Sequence, residues 1–154
     1  MVKANGVIDA VGIHIEQRAN IQGSHLMPFV RIDLIEGKPS SFKSELSGIV
    51  YQVMASMLNV PENDRFQVIS EHKAENFIFD PRYLDIERTS NLIFIQITLV
   101  EGRTVNAKVS FFKALADRLH DRLQVRRQDV FINLVENSRD NWSFGNGIAQ
   151  YAAS

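Results

Sequence analysis

The strongest constraint on the fold is an internal repeat. Sliding residues 30–71 forward by 65 overlays the second half without a gap and gives ten identities in 42 positions. Chance would give on the order of two or three, so the segment reads as a duplication. Among the matched pairs are Ile32 with Ile97, Gly37 with Gly102, Lys43 with Lys108, Asp64 with Asp129, and Glu71 with Glu136.

Each copy has the pattern of a β-α-β unit. Residues 29–36 (FVRIDLIE) alternate, with Val30, Ile32 and Leu34 on one face. Residues 37–40 are punctuation, and Ser40 or Ser41 is expected to cap a helix. Phe42, Leu46, Ile49, Val50, Val53, Met54 and Met57 then recur at helical spacing. A turn over 59–64 (NVPEND) leads into a strand over 66–70. In the second copy a strand over 92–100 precedes a helix opened by Gly102 and Thr104. The apolar positions of that helix include Val109, Phe112, Leu115, Leu119 and Leu123, and a strand follows over 130–135. Residues 77–79 are expected to add a short strand.

The repeat predicts an α/β (α+β) fold. Each crossover makes its strands parallel and right-handed. Two units side by side form a four-stranded mixed sheet with both helices on one face. The other face carries Arg31, Asp33, Gln96 and Thr98 beside Ile35, Phe94 and Val100. That mixture is too apolar for solvent and too polar for a dry core, so an oligomer is expected.

Composition narrows the function. The 154 residues suit one domain whose core needs no staples, with 45% hydrophobic and 23% charged side chains. There is no cysteine, which excludes disulfides, thiolate zinc sites and cysteine nucleophiles. Seventeen basic against eighteen acidic residues argue against a nucleic-acid partner. No apolar run approaches the ~20 residues of a membrane helix. His14, His25, His72 and His120 lack ligand spacing, so no metal is expected. GxGxxG, GxxxxGKS and GxSxG are missing, and no cofactor is expected.

Residues 1–27 read differently from the rest. They lack a secretory pattern, and a cytoplasmic location is expected. Residues 6–15 have the alternation of a short strand, and Gly23-Ser24-His25 resembles a tag junction. A tag, a mis-assigned upstream start and a genuine extension are the alternatives, with the first two favoured. The domain is then 28–154, with repeat units 28–71 and 92–136 and a tail over 137–154. Translation from Met27 followed by methionine trimming would expose Pro28.

A free proline terminus is a secondary amine held rigidly at the start of a strand. Amino termini titrate near about 8, and an apolar pocket lowers that value, so such a group can act as base, acid or carbonyl-binding cation. Pro28 also has a plain reading, as a proline opening an edge strand. Arg103, at the first turn of the second helix, can hold a carboxylate or lie exposed. Asp64 closes a turn, and Asp129 shows that the position has a structural use. Trp142, Phe144 and Tyr151 can pack, dock on a neighbour or line a pocket.

At these residues the sequence resembles the tautomerase superfamily. The motifs are MPFVRIDLIEG (27–37), NVPENDRFQVIS (59–70), EGRT (101–104) and VENSRDNWSFGNG (135–147). The last three resemble the malonate semialdehyde decarboxylase branch. The resemblance covers 28–154 and implies a tandem β-α-β monomer assembled as a homotrimer. It implies that Pro28 is catalytic and that Asp64 assists it or a water. Some family members bind the substrate carboxylate with an arginine pair two residues apart, where this chain has Val100 and Gly102. Others use the arginine of a GRT turn, which here is Arg103. Trp142, Phe144 and Tyr151 match a hydrophobic wall. The activity implied is decarboxylation of a small 3-oxo acid such as malonate semialdehyde. Hydration or dehalogenation of unsaturated acids, and tautomerisation, are neighbouring outcomes. With residues 1–27 attached, Pro28 is an uncharged imide and the chain would be a non-catalytic trimer.

Overall fold

A computed structural model describes residues 27–152. The strand reading of residues 6–15 lies outside them. The elements run β1 (Phe29–Ile35), α1 (Ser40–Leu58), β2 (Phe66–His72), β3 (Ile93–Val100), α2 (Val105–Leu123) and β4 (Val130–Asn137). Short 3-10 turns occupy Ala74–Asn76, Tyr83–Asp85, Arg127–Asp129 and Arg139–Asn141.

The repeat is reproduced in the structure, with the helices matching to the residue and the second unit's strands each one residue longer. Shifting α1 by 65 positions gives the bounds of α2. β1 pairs parallel to β2 with Phe29 opposite Phe66, and β3 pairs parallel to β4 with Phe94 opposite Phe131. β1 and β3 join the two units in antiparallel register, Val30 opposite Ile97 and Ile32 opposite Ile95. The sheet order is β2-β1-β3-β4.

Local chemistry is duplicated as well. Gly37 and Gly102 leave the first strand of each unit at φ +113° and +122°, a region that costs a side chain strain. Each helix ends in a left-handed residue, Asn59 and Gln124. Lys43 reaches Glu71 at 2.6 Å, and Lys108 reaches Glu136 at 2.6 Å.

The core lies between the sheet and the helices. Val30, Ile32 and Leu34 of β1 and Ile93, Ile95, Ile97 and Leu99 of β3 are buried against Leu46, Val50, Val53 and Met54 of α1 and Leu115 and Leu119 of α2. On the opposite face Phe29, Phe66, Val68, Phe131 and Val135 remain exposed around a Gln96–Asn133 hydrogen bond of 3.0 Å.

Four local expectations need correction. The cap of α1 is Pro39, in extended conformation and without a side-chain bond, so Ser40 is the first helical residue and not a cap. In α2 Phe111 joins the expected Leu115 and Leu119 in the core, whereas Val109 is 58% exposed. Phe111, Leu115 and Leu119 recur at every fourth residue and form one stripe, and Val109, two positions before Phe111, falls on the far side of the helix. Residues 77–79 form no strand: Phe77 leaves a 3-10 turn and stacks on Phe94 at 4.7 Å, so a ring contact replaces pairing. Val100 has the parity of the open face but is 2% exposed at the end of β3.

Candidate active site

Topology gathers the sequence candidates at one end of the sheet. β1 and β2 begin there, while β3 and β4 end there, because the two units meet antiparallel. Pro28 precedes β1, Asp64 lies two residues before β2, Arg103 follows β3, and the tail leaves β4. Residues separated by more than 120 positions, from Pro28 to Tyr151, thus share a neighbourhood.

Pro28 is buried at the start of its strand. It lines a cavity of about 250 Å³ with Phe29, Phe66, Trp142, Ser143 and Phe144. The tail is folded into a wall. The Trp142 indole N–H donates to Asn137 Oδ1 at 2.6 Å, which pins the ring to the end of β4. Trp142 stacks on Phe144 with centroids 5.4 Å apart, and Phe144 meets Tyr151 edge-on at 5.4 Å. Apolar rings beside an amine terminus would lower the solvation of its cation and so its basicity.

Asp64 is 6% exposed. Its own N–H closes the preceding turn onto the Pro61 carbonyl at 3.3 Å. Its charge also reaches the tail. Burial raises the Tyr151 hydroxyl above its usual pKa, the Asp64 carboxylate raises it further, and Arg139 opposes them. Arg139 is the residue that the sequence reading missed. It lies in the SRDN segment of a turn, and only the return of the tail brings it near Tyr151.

Arg103 is half-buried and not an exposed arginine. Its Nη1 donates to the Val100 carbonyl at 2.8 Å and its Nη2 to the Leu58 carbonyl at 3.3 Å. Nε–H is buried and has no hydrogen-bond partner among the described residues. Desolvation lowers its pKa and the nearby Glu136 carboxylate raises it. A buried donor without a partner costs about 1–3 kcal/mol, and an incoming anion would remove that cost.

The repeat mate of Asp64 has another occupation. Asp129 is fully buried and accepts from Thr89 N–H and Thr89 Oγ1–H, both at 2.7 Å. It pins the linker between the two units. Among the described residues there is no group of three or more side chains able to hold a metal ion, and no helix long and apolar enough to cross a membrane.

Comparison with known proteins accords with this geometry. A family model described as "Tautomerase enzyme" matches residues 64–145, and a second with the same description matches residues 28–85, beginning at Pro28. The chain belongs to the tautomerase superfamily. This tautomerase-superfamily protein is 45% identical to Probable tautomerase YusQ of Bacillus subtilis (strain 168), covering 80% of this chain and 98% of the relative. Crystal structures of malonate semialdehyde decarboxylase, described as explaining decarboxylase and hydratase activities, align with a TM-score of 0.74. That alignment has 29% identity over 80% of this chain and 95% of the other. FG41 malonate semialdehyde decarboxylase inhibited by 3-bromopropiolate aligns with the same TM-score, at 31% identity over 80% and 93% of the two chains.

Proposed function

We propose that this protein is a small-acid lyase that decarboxylates a 3-oxo acid such as malonate semialdehyde, using Pro28 as an amino-terminal amine. One observation carries the reading. Pro28 is buried in a cavity walled by Trp142 and Phe144, at the sheet end where Asp64 and Arg103 also stand. The likeness to two malonate semialdehyde decarboxylase structures supports the choice of substrate class.

The active form begins at Pro28, because only an uncapped imino nitrogen can carry a proton there. Residues 1–27 are then a leader, a tag or a mis-assigned upstream segment. Arg103 holds the substrate carboxylate through its unpartnered Nε–H, while its other nitrogens stay on the main chain. The carbonyl faces Pro28. As the bond to the carboxylate carbon breaks, its electron pair moves toward the carbonyl, carbon dioxide leaves, and negative charge develops on oxygen. Cationic Pro28 stabilises that charge by hydrogen bonding; in the covalent alternative neutral Pro28 first condenses with the carbonyl, expelling water, to an iminium that accepts the pair on nitrogen and is hydrolysed after carbon is protonated. A proton then returns to the carbon. Asp64 favours the cationic proline by opposite charge. The aromatic wall of Trp142, Phe144 and Tyr151 excludes water.

A second reading is favoured by the name of the 45% identical relative, Probable tautomerase. In it Pro28 acts as base and moves a proton within an enol acid. Hydration or dehalogenation of an unsaturated acid, with Asp64 orienting water, needs the same groups. Protein with a verified Pro28 terminus should be offered 3-oxo, acetylenic, 3-halo-acrylic and 2-hydroxydienoic acids. Pro28→Ala keeps a primary amine and is expected to slow turnover by about 10²-fold or more. Unchanged rates would remove the proline from the mechanism.

A further inference from the structure

The two units differ in the layer between helix and edge strand. Beside β2 the first unit carries a polar cluster of Ser47, Tyr51, Arg65 and Gln67. Arg65 sets its guanidinium over the Tyr51 ring, 5.4 Å from the centroid, and donates from Nη2 to Ser47 Oγ at 2.8 Å. Ser47 Oγ–H donates to Gln67 Oε1 at 2.6 Å. The positions 65 residues on are Phe112, Ala116, Val130 and Ile132. Three of these pack against the core, so apolar packing alone builds the same layer in the second unit.

The cluster ends on the turn that carries Asp64. Asn63 N–H donates to the Tyr51 oxygen at 3.1 Å, and the Tyr51 hydroxyl donates to the Pro61 carbonyl at 3.4 Å. Asp64 N–H closes on that same carbonyl at 3.3 Å. Asn63 stands at φ +69°, a conformation sparsely populated outside glycine. The second unit has no such clamp. Its aspartate ends a 3-10 turn, Arg127–Asp129, and Thr89 fixes the carboxylate directly.

We infer that Tyr51 is a positioning residue for the Pro28 site: its hydroxyl bridges Asn63 N–H and the Pro61 carbonyl, and so fixes the turn that sets the Asp64 carboxylate. The inference rests on the reading of Asp64 as the partner of a catalytic Pro28. Arg65 holds the Tyr51 ring in place from the strand side. Tyr51 touches no reacting atom and acts through Asp64 alone.

The test uses the chain with Pro28 as its verified terminus and the acid that wild type turns over. Tyr51→Phe keeps the ring under Arg65 and removes the bridging oxygen. The expected result is a fall in kcat of about 3-fold to 10-fold per folded molecule, with KM changed by less than about 2-fold because Arg103 is untouched. In an Asp64→Asn background the same change should have no further effect, since the group it positions is gone. Arg65→Gln leaves the hydroxyl and loosens the ring. It should lower kcat by about 2-fold to 5-fold and lose that effect in Asp64→Asn as well. Wild-type kcat in both Tyr51→Phe and Arg65→Gln would overturn the inference, as would losses that multiply in full with that of Asp64→Asn. In either case an inactive Pro28→Ala would leave the Pro28 reading standing. A wild type inert on every acid offered would overturn both.

Discussion

Asp64 and Asp129 occupy one repeat position in two different surroundings. Asp129 is fully buried and spends its carboxylate on Thr89, through two hydrogen bonds of 2.7 Å. Removing it strands those donors, so Asp129→Ala is expected to cost about 2–3 kcal/mol in urea unfolding. Turnover per folded molecule should stay near wild type. Asp64 has the same place in the first unit but lies at the sheet end where Pro28 precedes β1, and its charge acts on Tyr151. Asp64→Asn is expected to reverse the pattern, with turnover reduced by about 10-fold or more and a smaller change in unfolding. Full activity in Asp64→Asn would return that residue to turn formation alone.

At the scale of elements, the two β-α-β units are held by duplicated devices. Each strand-to-helix junction turns on a glycine at positive φ, followed by a helix of 19 residues. A Cβ at Gly102 would meet no atom within 4 Å, so any cost of substitution is conformational. Gly102→Ala is therefore expected to destabilise the fold by about 1–2 kcal/mol, read as a lowered Tm. It should also raise KM, because the same junction carries Arg103. The duplicated Lys43–Glu71 and Lys108–Glu136 pairs are part-exposed, and each is worth no more than about 1 kcal/mol. The units persist through their shared core and not through these ion pairs.

For the whole molecule, the uncovered sheet face is the feature that needs an explanation. Phe131 is 47% exposed there, and Phe29, Phe66, Val68 and Val135 add apolar surface around polar Arg31, Gln96 and Asn133. We propose that copies of this chain cover the face in a homotrimer, as the family resemblance implies. Phe131→Glu sets a charge on that surface and is expected to shift the mass measured by light scattering from trimer to monomer. A wild type that runs as a stable monomer at micromolar concentration would contradict the assembly.

The fold was legible in the sequence because duplication and period-2 alternation are local, additive signals. Both survive without knowledge of what packs on what, and they predicted the four strands, both helices and the parallel pairing within each unit. Their errors were also local: the place of Val109 on α2, where Phe111 is the buried residue, and the cap of α1. Pro28, Asp64, Arg103 and the aromatic tail were legible as candidates because their motifs resemble a known family. Their meeting at one sheet end follows from the antiparallel junction of β1 with β3, which no single segment encodes. The sequence could not tell that Arg103 spends two nitrogens on main-chain carbonyls, or that Asp129 pins the linker through Thr89. Nor could it bring Arg139 to Tyr151. Those outcomes depend on distances between chain segments, and such distances exist only once the core has closed.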